Sequence, residues 1–412
     1  MATATVRPLV QSLVLGCSLA GLAFPGPASL VPASVARQGA GDAQLVAHEW
    51  GTFTSIADRS GQAVKWHPQS GLVDIPDFIE HFATDGFKRS LRGTVRMETP
   101  VLYFYSPTET TVSVKVRFAK GVITEWYPHA SRTAPDAQKV LDESTLFQHN
   151  TEGRITWDSV SVEPNLSPNF PHDKSDAYYY AARETSAAPL VVKTSSGEQQ
   201  EKFLFYRGVS AFSVPVTAQS LPDGGVLLRN LAEDEIPGVI LFERRGEKLG
   251  YRLGGALAAA GETRLDRPEL TSTIESLNRD LGDILMAQGL YPAEARAMLK
   301  TWQSSWFEEG SRLFYIVPAQ FVNAILPLSI KPVPSQTVRV FVGRIELITP
   351  ATEQAIENAL AAHDRYAITR TYGRFLEPIL DQLKADNPAR VPQIEKELDE
   401  TYNSQQVVPR AN

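Results

Sequence analysis

From Val112 to Phe118 the chain alternates strictly between apolar and polar side chains, with Val112, Val114, Val116 and Phe118 set against Ser113, Lys115 and Arg117. Successive side chains of a strand point to opposite faces, so this period of two commits the segment to a half-buried strand and excludes a helix. The preceding run Val101-Leu102-Tyr103-Phe104-Tyr105 is apolar throughout, as in a strand covered on both faces, and Ser106-Pro107-Thr108 turns the chain between the two. Similar short patterns recur at 122–127, 155–162, 190–193, 202–206, 212–216, 226–229, 239–242 and 249–253. Turn sequences such as Ser195-Ser196-Gly197 and Pro222-Asp223-Gly224-Gly225 punctuate them, which predicts antiparallel, sandwich-like packing.

Near Ala256 the period changes to that of a helix. Pro268 and Pro292 stand as first-turn prolines for helices over 268–288 and 292–308, with Gly289 and Gly310 as stops. Strands follow at 312–317 and 337–347, joined through a short helix at 318–325. Thr349 then offers an N-cap with Pro350 behind it, opening a helical tail to about Tyr402. The polar stretch from His129 to Asn150 reads as a boundary. The expected fold is therefore mainly β with an α+β C-terminal part: antiparallel sandwich-like modules at 45–150 and 151–255, followed by a helix-rich module at 256–402.

Order begins near Leu45, because what precedes it has the pattern of an export signal. Arg7 supplies a positive charge, an apolar run extends from Leu9 to Phe24, and Pro25-Gly26-Pro27 breaks it. Small residues allow cleavage after Ala28 or Ala36, and 1–36 read as signal peptide and linker. Val14-Leu15-Gly16-Cys17 also resembles a lipobox, which would place a lipid on the Cys17 thiol. The expected location is exported, periplasmic or extracellular, with or without a lipid anchor. Cys17 is the single cysteine, so the mature chain has no disulfide and no zinc-thiolate or iron-sulfur chemistry. No later segment is long and apolar enough to span a membrane as a helix. The net charge of −7, with no basic run longer than Lys88-Arg89 or Arg244-Arg245, argues against nucleic acid as a partner.

No phosphate loop, nucleophile elbow or His-Glu-x-x-His helix occurs, so chemistry must be sought in constellations. His48-Glu49-Trp50-Gly51-Thr52-Phe53-Thr54 opens the fold and, as a strand, puts His48 and Trp50 on one face and Glu49 on the other. His67, His81, Glu98, Glu125 and His129 are further imidazole and carboxylate groups that could join them at a metal; against this stands ordinary hydrogen-bonded packing. Arg96-Met97-Glu98-Thr99-Pro100 and Thr124-Glu125-Trp126-Tyr127-Pro128 each place a carboxylate at a strand end, an arrangement that suits an acid–base pair or simple pairing with Arg96 and solvent. Trp302 and Trp306 share one helical face ahead of Glu308, Glu309 and Arg312, which fits either a core stripe or a stacking site with charged clamps. Rings are dense elsewhere too, at Trp50, Trp66, Trp126, Tyr127, Trp157 and Tyr178-Tyr179-Tyr180, a platform suited to carbohydrate or to a protein partner.

The segments His48–Ser55, Arg96–Val101, Ile123–Pro128 and Ser305–Gly310 resemble those of a family of uncharacterised exported bacterial proteins. The likeness reaches from residue 48 to 310; it implies export and brings no activity, cofactor or catalytic residue. Two functional expectations follow. One is a binding or structural protein of the envelope that recognises a glycan or a protein surface, with Trp50, Trp126, Trp306, Glu309 and Arg312 as candidate ligand-binding residues. The other is a hydrolase using His48 and Glu49 with Glu98 or Glu125, with or without a metal. The sequence names no cofactor and does not fix the oligomeric state.

Overall fold

The computed structural model describes residues 44–69, 75–82, 91–135, 152–174 and 178–403. The leader pattern, its cleavage sites and Cys17 lie outside the described residues, as does most of the expected boundary at 129–150.

The strands are β1 (Val46–Ala57), β2 (Glu80–His81), β3 (Val95–Tyr105), β4 (Thr110–Phe118), β5 (Gly121–Tyr127), β6 (Arg132–Ala134), β7 (Gly153–Val162), β8 (Leu190–Thr194), β9 (Gly197–Glu201), β10 (Leu204–Ser210), β11 (Val216–Ser220), β12 (Val226–Asn230), β13 (Ile236–Arg245), β14 (Lys248–Leu257), β15 (Glu262–Leu265), β16 (Gly310–Ile316), β17 (Leu328–Lys331) and β18 (Gln336–Leu347). The helices are α1 (Ile274–Ala287), α2 (Pro292–Trp306), α3 (Ala319–Ile325), α4 (Pro350–Ala361), α5 (Leu376–Asp386) and α6 (Val391–Asn403). The chain is mainly β, with helices concentrated towards its C-terminal part.

A nine-stranded sheet runs in the order β14-β13-β16-β18-β1-β3-β10-β5-β2. Its neighbours are antiparallel except the central pair β1 and β18, which run parallel from Val46 opposite Gln336 to Ala57 opposite Leu347. One face packs on the smaller sheets. Phe53, Leu102 and Tyr206 meet Val114, Val116, Trp157 and Leu228 there in a single apolar cluster. The other face packs on α1 and α2, where Trp50, Val101, Phe205 and Phe314 meet Leu281, Met298, Trp302 and Trp306. A third cluster, around Ile56, Trp66 and Ile348, takes α4, α5 and Phe375. Because they are covered on both faces, β1, β3, β5 and β16 are buried almost end to end.

The expected division into modules at 150 and 255 is not how the chain is built. β10 inserts between β3 and β5, β7 pairs with β4, β13 pairs with β16, and β18 pairs with β1, so each proposed module lends strands to another's sheet. Residues 43–412 form one compact unit. One local expectation also changes. The first helix starts at Ile274 instead of residue 268, because Thr273 and Ser276 form a reciprocal capping box there. Tyr178-Tyr179-Tyr180 open a 3-10 turn over Tyr178–Arg183, in which Tyr179 is buried and Tyr178 stands half in solvent.

Candidate functional site

The middle of the large sheet carries a polar stripe on its helix-facing side. Thr54 of β1 stands opposite Arg96 of β3 and Arg344 of β18, while Thr52 stands opposite Glu98. All five side chains are buried. Polar groups in the centre of a covered sheet carry a desolvation cost, so their presence here needs a local cause.

That cause begins with an irregularity shared by four neighbouring strands. The register slips between Trp50 and Thr52 against β3, between Phe205 and Gly208 on β10, and between Arg207 and Gly208 against β5. Bulges of this kind re-aim side chains. At the centre of the slip Thr99 adopts φ +46°, a conformation rare for a β-branched residue. Gly51 lets the residue after Thr99, Pro100, approach closely, since a Cβ at Gly51 would come 2.8 Å from the Phe341 ring and 3.1 Å from the Pro100 Cα.

Glu98 lies fully buried below Thr99, with Arg374 Nη1 at 2.9 Å and Arg96 Nε at 3.6 Å. Burial alone would push its pKa up. Arg374, Arg96, Arg344 and Arg207 outweigh that effect and hold the carboxyl below the ordinary range, so Glu98 is ionised. Arg374 arrives from the turn Gly373–Phe375, which carries it from the C-terminal helices into the sheet.

Above this row sits the last turn of α2. Arg344 donates from Nη1 to Ser305 Oγ at 2.9 Å and from Nη2 to Glu308 Oε1 at 2.7 Å and Glu346 Oε2 at 3.2 Å. Arg374 Nη2 donates to the same Ser305 Oγ at 3.3 Å. Arg312 is bound on every side: it pairs with Glu346 at 2.9 Å and donates to the carbonyls of Trp306, Glu308 and Glu309 at 2.9, 2.6 and 2.6 Å. It therefore closes the helix end, where carbonyls lack partners and the dipole favours a cation.

Between α2 and the sheet opens a cavity of about 120 Å³ lined by Ile75, Thr99, Tyr178, Tyr179, Phe205, Arg207, Thr301, Trp302, Ser304 and Ser305. Strand β10 contributes Phe205 and Arg207 and helix α2 contributes Thr301, Trp302, Ser304 and Ser305, so aromatic and polar side chains come from both.

The sequence candidates separate in three ways. Glu98 belongs to the polar stripe, and Glu125 joins its far end, buried opposite Arg207 and hydrogen-bonded by the Thr124 hydroxyl. Trp50, Trp302 and Trp306 share this face; the last two stack nearly parallel at 6.4 Å, packed inside. His48 is engaged elsewhere: its Nδ1 bonds Glu294 Oε2 at 2.8 Å, and Glu294 also accepts from Tyr105 Oη at 2.8 Å and from the Tyr291 backbone N–H at 2.7 Å. It anchors the start of α2. Glu49 faces the opposite side of the sheet, bonded to Tyr206 and to Arg339 Nε, the latter at 2.6 Å. His48 and Glu49 thus cannot act as one pair.

Trp126 also lies on the opposite side, where its Nε1 donates to Glu80 at 2.8 Å. Glu309 Oε2 accepts from the Gly246 N–H at 2.8 Å, and Arg312 is fully buried with its donors on Glu346 and three backbone carbonyls. His67 bonds Glu377, and His129 bonds Glu80. Among the described residues no group of three or more His, Cys, Asp or Glu side chains gathers in metal-binding fashion. Nor, among them, is any helix long and apolar enough to cross a membrane.

Arg207, Arg344, Arg374, Thr99, Thr301 and Ser305 were not singled out from the sequence. A usable signal existed for one of them: Arg207 follows the apolar run Leu204-Phe205-Tyr206 within its strand, and charged residues are seldom fully buried without a task.

No protein-family model matches this chain, and no curated protein matches it. Among solved structures it is similar to the yeast delta-COP-I mu-homology domain complexed with a Dsl1 WxWxV peptide, at 9% identity over 74% of this chain and 96% of that one, TM-score 0.25. The same yeast domain alone gives 10% identity over 75% and 98%, TM-score 0.26. At those scores the likeness defines neither fold nor function.

Proposed function

We propose that the protein is an exported binding protein of the cell envelope that recognises the end of a glycan in the cavity beneath α2. The observation that carries this reading is the make-up of the cavity wall. Tyr178, Tyr179, Phe205 and Trp302 line it with aromatic side chains, of which Tyr178 is the exposed one, while Thr99, Thr301, Ser304, Ser305 and Arg207 bring hydroxyl and guanidinium groups. A sugar ring presents the complement, an apolar C–H face and a rim of hydroxyls. At roughly 10–15 Å³ per water-sized group, a space of about 120 Å³ suits one sugar unit better than an extended polymer. Strain at Thr99, of a kind that clusters at ligand clamps, lies in the same wall.

The hydrolase reading has less support. An acid catalyst needs a carboxyl whose pKa is raised towards neutrality, and the arginines hold Glu98 in the opposite direction. His48 and Glu49 point away from each other.

Calorimetric titration with a panel of monosaccharides and reducing-end disaccharides tests the proposal. At least one sugar should bind, and Tyr178→Ala, which removes an exposed ring without opening the core, should weaken it about two- to tenfold by the usual worth of a ring contact. A protein that binds no sugar of the panel, or binds one equally well after Tyr178→Ala, contradicts the reading.

A further inference from the structure

Ser305 lines the cavity, and its hydroxyl receives two guanidinium donors, Arg344 Nη1 at 2.9 Å and Arg374 Nη2 at 3.3 Å. A serine hydroxyl has two acceptor lone pairs and one proton to give. With both lone pairs occupied by N–H donors, Ser305 can only donate. Among the described residues it donates to none. The arrangement is held in place from behind: Glu308 and Glu346 occupy Nη2 of Arg344, which leaves Nη1 directed at Ser305. Arg374 is anchored in the same way by Glu98 at 2.9 Å. The cavity wall also contains the Arg207 side chain, and it contains no carboxylate among its described lining residues.

A hydroxyl that can only donate, in a wall that presents no carboxylate, favours an acceptor-only oxygen, and a carboxylate is the strongest such acceptor a sugar carries. We infer that the sugar bound here carries a carboxylate, as a hexuronic acid does, and that one carboxylate oxygen accepts the Ser305 proton while the ring lies against the aromatic side chains of the lining. This inference rests on the glycan reading above and adds the charge of the ligand to it. Ser305 is then the residue that discriminates acidic from neutral sugars, and Arg344 and Arg374 act through it by fixing which way its proton points.

The experiment compares glucuronate and galacturonate with their methyl esters and with glucose and galactose, by calorimetry on the purified protein at two salt concentrations. One hexuronate should bind, and its methyl ester and neutral counterpart should bind about ten- to a hundredfold more weakly, the range expected for one hydrogen bond to a charged group. The ester arm needs no variant, so it reads out even where a substitution disturbs folding. Ser305→Ala should remove the preference, bringing hexuronate down to the affinity of the neutral sugar. Ser305→Thr, which keeps the hydroxyl, should restore most of it. Equal binding of acid, ester and neutral sugar overturns the inference while leaving the glycan reading in place. Ser305→Ala with its preference intact overturns it likewise, and no binding of any sugar removes both.

Discussion

Thr99 is held at φ +46° in the wall of the cavity, a conformation that costs a β-branched residue on the order of 1–3 kcal/mol. Gly adopts it freely. Thr99→Gly should therefore leave global stability unchanged or raise it by about 1 kcal/mol, read as the midpoint of urea unfolding, while weakening ligand binding. A loss of stability above that size would show that the threonine is placed for packing and not for the site.

Glu98 gives a pH signature. Its folded-state pKa lies below the ordinary glutamate value of about 4.3, because Arg374, Arg96, Arg344 and Arg207 overcome the effect of burial. The unfolded chain thus binds its proton at higher pH than the folded one. The stabilisation is complete above the unfolded value and is lost as pH falls from there through the folded value. Urea unfolding between pH 3 and pH 7 should show stability declining below about pH 4.3, and Glu98→Gln should flatten that part of the curve. Because the substitution leaves buried guanidiniums without their counter-charge, it should also cost about 3 kcal/mol at neutral pH. An unchanged acid limb in the variant contradicts the assignment.

Helix α2 is fixed at both ends by residues outside it. His48 from β1 holds Glu294 in its first turn, and Arg312 from β16 collects the last carbonyls. Gly310 makes the second attachment feasible: it sits at φ +119°, and a Cβ would come 2.8 Å from Glu346 Oε1 and 3.0 Å from Arg312 Nη2. Gly310→Ala should destabilise by about 2 kcal/mol, more than the ~1 kcal/mol of a plain Gly-to-Ala exchange at a strained site. Hydrogen exchange should locate the loss in the last turns of α2, and protection there equal to wild type would argue against Arg312 as the closing contact. Much of this element was legible in the sequence, since Pro292 and Gly310 mark the ends of α2 and its following turn as read. The role of Arg312 was not, because spacing alone cannot tell a side chain aimed at a ligand from one folded back on its own helix.

The molecule as a whole shows where sequence reading stops. The period-two patterns located most strands, and the alternation across β1 correctly put His48 and Glu49 on opposite faces. Partner choice is a different matter: strand pairing between distant segments is set by packing of the finished core, and nothing local in β10 marks it for the gap between β3 and β5. The same limit hid the site, whose arginines come from β3, β10, β18 and the turn before α5 and meet only once the sheet is assembled. A consequence follows for fragments. Residues 151–255, which read as a separate sandwich, place β7 and β10 against strands outside that span, so the isolated fragment should show no cooperative unfolding transition by circular dichroism. A sharp transition would restore the modular reading.

The most direct test of a binding cavity beneath α2 uses its own tryptophan. Trp302 lines the cavity, whereas Trp157 is buried in the cluster on the other face of the large sheet. Indole proton resonances followed by NMR during titration with a hexuronate should show Trp302 shifting in a saturable way while Trp157 stays in place. No shift at Trp302, or equal drift of both indoles, contradicts the account.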